Sequence, residues 1–183
     1  MSDTREQIRR VALELFAEQG YEKTSLREIA ERLDVTKAAL YYHFKSKEAI
    51  VTSLFEEVEA EVDKILAWAE ERPMTLDARH EIIRRYAEVL RGPGGDLMRF
   101  MAENGPAIRE LKAGNEARER FIRLAGILSD TNAPLPDQLR ARLSIFSMHM
   151  SVFLMRDLNI TDDERHDAAL EVALDLVDRS VTQ

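Results

Sequence analysis

The sequence predicts an all-α protein, on three observations. Apolar residues recur at helical spacing in almost every segment, and runs of alternating β-branched residues are absent. Two stretches, Ser25 with Glu28 and Thr161 with Glu164, have the form of a capping box, in which a hydroxyl and the carboxylate three residues later satisfy free amides at a helix start.

The elements follow in order. Ile8, Val11, Ala12, Leu15 and Phe16 make one stripe of a first helix, which stops at Gly20, a residue type that tolerates the left-handed conformation. A short helix runs from Ser25 to about Leu33, with Leu26, Ile29, Ala30 and Leu33 inward; the chain then turns at Asp34 and Val35. Thr36 caps a third helix reaching Phe44, and Ser46 caps a longer fourth carrying Ile50, Val51, Leu54, Phe55, Val58, Val62, Ile65 and Trp68, which ends before Pro73. The fourth helix is expected to link an N-terminal head, residues 1–46, to a body, residues 47–183.

In the body, residues 75–90 read as a helix, 91–96 as a break, 96–103 as a short helix, and Gly105 with Pro106 as a second interruption. Residues 106–129 are helical, with a candidate break at Gly114 and Asn115. A loop over 131–136 precedes two long helices, one from about 137 to 157 and one from Thr161 nearly to residue 183.

A chain of 183 residues, 45% hydrophobic and 33% charged, can bury the core of one or two domains and reads as soluble and globular. The absence of cysteine excludes disulfides, zinc–thiolate sites and cysteine nucleophiles, and fits a reducing cytoplasm. The first ten residues carry both charge signs and no apolar run, unlike a secretory signal. The most apolar stretch, 143–155, is shorter than the ~20 residues of a membrane span, so no membrane partner is expected.

His80, His149 and His166 lack mutual metal-ligand spacing, and the glycines at 92, 94 and 95 have neither a P-loop lysine nor a preceding strand. No catalytic motif is present. The expectation is a protein with no metal, no cofactor and no enzymatic activity.

The formal net charge of −8 argues at first against a nucleic-acid partner. Residues 1–50, however, balance nine basic side chains (Arg5, Arg9, Arg10, Lys23, Arg27, Arg32, Lys37, Lys45 and Lys47) against nine acidic ones, so the deficit lies wholly in the body. Any DNA binding must be local to the head.

The stretch TSLREIAERLDVTKAALYYHFKSK, from Thr24 to Lys47, supplies the means. Short helices meeting across a tight turn make a helix-turn-helix, whose last helix projects into a groove about 12 Å wide. With Val35, Leu40 and Phe44 inward, Thr36, Lys37, Ala38 and Tyr41 point outward as candidate base readers: lysine for guanine, threonine for several acceptors, alanine for thymine methyls. Thr24, Tyr42, His43 and Lys47 form a ring of candidate phosphate donors.

These residues resemble the DNA-binding head of the tetracycline-repressor (TetR) family of regulators. The resemblance covers residues 5 to about 55, through ALELFAEQGYEKTSLREIA, the turn and the LYYHFKSKEAI run. It implies that Thr36, Lys37, Ala38 and Tyr41 face bases, that Thr24, Tyr42, His43 and Lys47 hold phosphates, and that the chain forms a homodimer with an effector pocket in each body. It further implies a cytoplasmic regulator, by family habit a repressor, released from a palindromic operator by a small molecule. Ala39 departs from the pattern, standing where the family often carries a small polar residue.

The penultimate helix is apolar nearly all round: Leu139, Leu143, Phe146, Met150 and Phe153 form one stripe, Ile145, Met148, Val152 and Met155 another. The last helix carries Leu170, Ala173, Leu174 and Val177 with Val172 and Leu176. Helices of this kind must be covered on two sides, which predicts a four-helix interface between two copies, with Leu143, Phe146, Met150, Leu170, Leu174 and Val177 as its candidate residues. Trp68, Tyr86, Phe100, Met101, Phe121, Met148, His149 and Phe153 are candidate pocket residues, although residues of these types at helical spacing more often fill cores. Two rival functions stay open: a helical interaction protein that does not bind specific DNA, and a small all-α enzyme or drug-sequestering protein.

Overall fold

A computed structural model describes residues 2–108 and 112–181, and the described residues form nine α-helices without strands. Three short-range helices make the head: α1 (Ser2–Gln19), α2 (Leu26–Arg32) and α3 (Lys37–His43). α1 stops at Gly20, whose φ of +88° only glycine adopts without strain. Ser25 closes the predicted capping box over α2, its hydroxyl accepting from the Glu28 amide while the Glu28 carboxylate accepts from the Ser25 amide at 2.7 Å. Between α2 and α3 the chain reverses through Asp34, at φ +53°, and the Val35 amide reaches back to the Ala30 carbonyl at 3.0 Å. Such a closure satisfies the last carbonyls of α2 and makes the turn tight.

Ser46 caps α4 (Lys47–Glu70). At about 1.5 Å per residue, its 24 residues span ~36 Å. Its first turns belong to the head's core: Ile50, Val51, Leu54 and Phe55 are buried with Ile8, Phe16, Ile29, Leu40 and Phe44. Its later turns, through Val62, Ile65, Leu66 and Ala69, enter a second core with Ile82, Tyr86, Leu124, Leu128, Ile145 and Ala173.

The body is completed by α5 (Leu76–Arg91), α6 (Pro93–Ile108), α7 (Lys112–Ile127), α8 (Leu135–Leu154) and α9 (Asp162–Asp178). The expected break over 91–96 shrinks to Gly92, because proline is pre-organised for the first turn of α6 and starts the helix at once. The close approach needs small residues: a Cβ on Gly95 would lie 2.3 Å from the Leu90 carbonyl oxygen. The second expected interruption is a kink at Asn104 (φ −120°, ψ 23°) inside α6, not an end. Of the expected helix over 106–129, residues 109–111 lie outside the described residues. The candidate break at Gly114 and Asn115 is absent, both falling inside α7. α8 ends at Leu154, three residues short of the expected limit, and Thr161 builds the second predicted capping box on α9.

α6 packs on α1 and α4 and also on α5 and α8. Leu97 and Phe100 are buried in the head's core, with Phe100 against Phe16 and Tyr21 at ring-centroid distances of 5.4 and 6.1 Å.

Candidate nucleic-acid interface and ligand cavity

α3 is anchored by one face only. Leu40 and Phe44 are buried and Tyr41 half-buried against the head's core, whereas Thr36, Lys37, Ala38 and Ala39 are exposed and Tyr42 is 74% exposed. Because α3 contains no acidic residue, its free face is apolar, hydroxylic and cationic. Thr36 accepts from the Ala39 amide at 3.1 Å as the helix cap, which leaves its own O–H free to donate. The Lys37 ammonium lies 5.4 Å from the Tyr41 ring centroid, and the His43 ring stands edge-on to Tyr42 at 5.2 Å.

Elsewhere in the head, charges are spent locally. Arg9 pairs with Glu57, Arg27 with Glu31 and Arg32 with Glu18, at 2.6–2.8 Å. The Arg32 hydrogen bond holds the Glu18 carboxyl below its ordinary range, and Ser25 does the same for Glu28. Glu18, Glu28 and Glu31 are thereby partnered within the head.

Thr24 is a correction to the expected phosphate ring. It is 2% exposed, and its hydroxyl donates to the Gly20 carbonyl at 2.9 Å, so it locks the end of α1 and cannot reach a phosphate. Lys47 is partly committed too: its ammonium donates to the carbonyls of Tyr21 (2.6 Å) and Glu22 (3.3 Å) over the Tyr21 ring. One of its three protons remains uncommitted. Lys45 is exposed just beyond α3, between the buried Phe44 and the Ser46 cap.

In the body, α4, α5, α6, α7 and α8 line a cavity of about 260 Å³. Of the eight expected pocket residues, Tyr86, Met101, Phe121 and His149 line it. The His149 ring stacks between Phe121 (4.3 Å) and Tyr86 (5.5 Å), and its Nε2 is hydrogen-bonded to the Tyr86 hydroxyl. Burial lowers the His149 pKa to about 4, so the imidazole is neutral near pH 7 and shares one hydrogen bond with the tyrosine hydroxyl.

The other four lie elsewhere. Trp68 is sandwiched by Arg72 (3.7 Å) and Arg85 (4.4 Å), and Phe100 fills the head's core. Met148 is a core residue facing a smaller, more polar cavity, and Phe153 lies on the outside of α8, 39% exposed. Sequence reasoning missed Leu97, Met98, Leu124 and, above all, Glu59, a cavity-lining carboxylate. Its signal was present: Glu59 sits one turn from Phe55 and from Val62, within the apolar stripe of α4.

On the outer face of α8, Leu139, Leu143, Phe146, Phe153 and Leu154 are between 38% and 70% exposed. Met150 is half-buried, as are Leu170 and Leu174, which pack on the second core. Val177 is a correction: it is fully buried within the protomer, and Val172, half exposed, occupies the outer face of α9 instead. No helix among the described residues is long and apolar enough to cross a membrane.

A helix-turn-helix head carried on a helical body is the architecture of a class of DNA-binding regulators. A family model described as "Bacterial regulatory proteins, tetR family" matches residues 8–54. The chain is 30% identical over 192 residues to the HTH-type transcriptional regulator TcmR of Streptomyces glaucescens, a match covering 94% of this chain and 81% of that one. It is 41% identical over 63 residues to the HTH-type transcriptional regulator AcrR of Shigella flexneri, but there the match covers 34% of this chain and only 29% of the relative. Among solved structures, the TetR-family regulator PfmR of Thermus thermophilus shares the fold at a TM-score of 0.70 and 24% identity, covering 98% of this chain and 97% of that one. AmtR of Mycobacterium smegmatis does so at 0.68 and 24%, covering 94% and 85%. The chain belongs to the TetR family of DNA-binding transcriptional regulators.

Proposed function

We propose that the protein is a homodimeric transcriptional repressor of the cytoplasm, released from a palindromic operator when a small molecule enters the body cavity. The observation that carries this reading is the free face of α3, which is exposed, acid-free and rigidly presented on a closed core in an otherwise acidic chain. Thr36, Lys37 and Ala38 read bases from the free face, and the half-buried Tyr41 from its edge. Tyr42 and His43, the third proton of Lys47, and Lys45 hold phosphates, while Thr24 keeps the head in shape. Residues 1–46 act as the DNA-binding unit and residues 47–183 as the effector-binding and dimerisation unit.

Two copies pair through the outer faces of α8 and α9, with Leu143, Phe146 and Met150 central and Leu170 and Leu174 at the edge. The two heads then address half-sites about 34–36 Å apart, and ligand binding favours a head separation that no longer fits. Catalysis has no part in this reading.

Selection of bound duplexes from a random DNA pool tests it. Recovery of a palindrome supports a dimeric, sequence-specific regulator; recovery of nothing above background removes the reading.

A further inference from the structure

The cavity of about 260 Å³ holds one ionisable group that its surroundings leave half-satisfied. Glu59 is only 9% exposed. Its Oε2 accepts an ion pair from Arg120 at 3.2 Å, but its Oε1 is out of contact with solvent and has no hydrogen-bond partner among the described residues. Arg120 is itself divided, with its Nε 3.2 Å from both oxygens of Asp63. A buried carboxylate oxygen without a donor is costly, and a proton or a cation relieves the cost. Burial pushes the Glu59 carboxyl above its ordinary range, and the negative charges of Glu116, Asp63 and Glu56 add to the effect against Arg120.

The walls favour the cation. Val58, Val62, Leu97, Met101 and Leu124 give apolar contact, while the stacked rings of Tyr86, His149 and Phe121 offer π-faces, which attract positive charge. The histidine in that stack is neutral and contributes no opposing charge. Arg118 and Arg120 also line the cavity, but Arg120 is neutralised between Glu59 and Asp63, and Arg118 is exposed, where a hydrated guanidinium gains little from an anion. An anionic ligand would meet Glu59 as well.

We propose that the cavity selects an organic cation, a flat apolar body bearing a protonated amine whose ammonium pairs with the free oxygen of Glu59. The torsion that turns the carboxylate is broad, so Oε1 can face the cavity without leaving a rotamer well. The proposal rests on the reading of this cavity as the effector site.

The test is calorimetric titration of the whole protein at pH 7 with three probes of one shape: 1-naphthylmethylamine, 1-naphthylmethanol and 1-naphthoate. The amine is expected to bind at least about tenfold tighter than the alcohol, with the acid weakest, the scale of one desolvated charge pair. In Glu59→Gln the amine-to-alcohol ratio falls to about one while the affinity for the alcohol is kept, which also shows that the variant is folded. The wild-type ratio needs no variant and stands alone if Glu59→Gln fails to fold. Tightest binding of the acid, an amine preference that survives in Glu59→Gln, or binding of none of the probes at millimolar concentration overturns the proposal. The titration uses no DNA: amine binding that depends on Glu59 but leaves a selected operator bound would sink the release mechanism and spare the cation site.

Discussion

The backbone amide of Tyr21 donates to the side-chain oxygen of Asn104 at 2.9 Å, across 83 residues of sequence. Tyr21 follows the end of α1 in the head; Asn104 is the kink of α6, and its Nδ2 donates to the Phe100 carbonyl at 3.1 Å. The same helix walls the cavity through Leu97, Met98 and Met101. A ligand that displaces these side chains therefore pushes on a helix bonded to the head.

Replacing Asn104 with alanine leaves the Tyr21 amide without its acceptor. The expected loss is about 1–2 kcal/mol of stability, a fall of roughly 2–8 °C in Tm for a chain of this size. The more telling expectation concerns coupling: the factor by which a bound ligand weakens operator binding should shrink, with ligand affinity itself little changed. An unchanged coupling factor in N104A would place the transmission elsewhere.

On α3 the division between base readers and phosphate holders gives opposite signatures. Lys37→Ala should cost about 1–3 kcal/mol and relax preference at one or two base pairs. Tyr42→Phe, which removes only a hydroxyl from a side chain 74% exposed, should weaken binding to all duplexes alike and leave the protein's melting unchanged. Competition binding against single-base operator variants reads both, and identical profiles would mean that the roles are wrongly divided.

The local parts of this molecule were legible because their causes are local. The hydroxyls of Ser25, Thr36, Ser46 and Thr161 cap the helices that follow them, as their positions in the sequence require. What the sequence hid is long-range. Val172 and Val177 are equally apolar, and only the packing of α9 on α5 and α8 decides that Val177 is core and Val172 is surface. Thr24 looked like a free donor because its burial, unlike its nearby acceptors on Gly20 and Leu15, comes only when the head closes. Glu59 is marked in the sequence as a carboxylate within an apolar stripe, but only the packing of α7 on α4 decides that it is buried.

Phe146 is 45% exposed at the middle of the outer α8 stripe. A charge placed there would be desolvated without a partner in any face-to-face pairing of two copies, so Phe146→Glu should weaken the dimer by about a hundredfold or more. Sedimentation at micromolar concentration should find wild-type dimers and variant monomers. Val177→Ala, by contrast, should lower stability by about 1–3 kcal/mol and leave the association constant alone. A variant that stays dimeric as F146E would move the interface off this face.

His149 gives the protein an acid limb. In an unfolded chain its imidazole takes up a proton near pH 6.5, whereas burial in the fold lowers the pKa to about 4. Below pH 6.5 the unfolded state binds a proton that the native state refuses, so stability rises with pH across this window and is lost as the pH falls toward 4. At about 1.4 kcal/mol per pH unit, the loss reaches roughly 2 kcal/mol by pH 5. Burial lowers the His166 pKa too, and the lowered carboxyls of Glu18, Glu28 and Glu164 withdraw their own stabilisation on acidification, so the contribution of His149 is read as a difference. His149→Gln keeps an acceptor for the Tyr86 hydroxyl and cannot titrate. Urea melts at pH 7 and pH 5 should show the variant losing about 2 kcal/mol less than the wild type between the two; equal losses would mean that the imidazole is not held neutral by the fold.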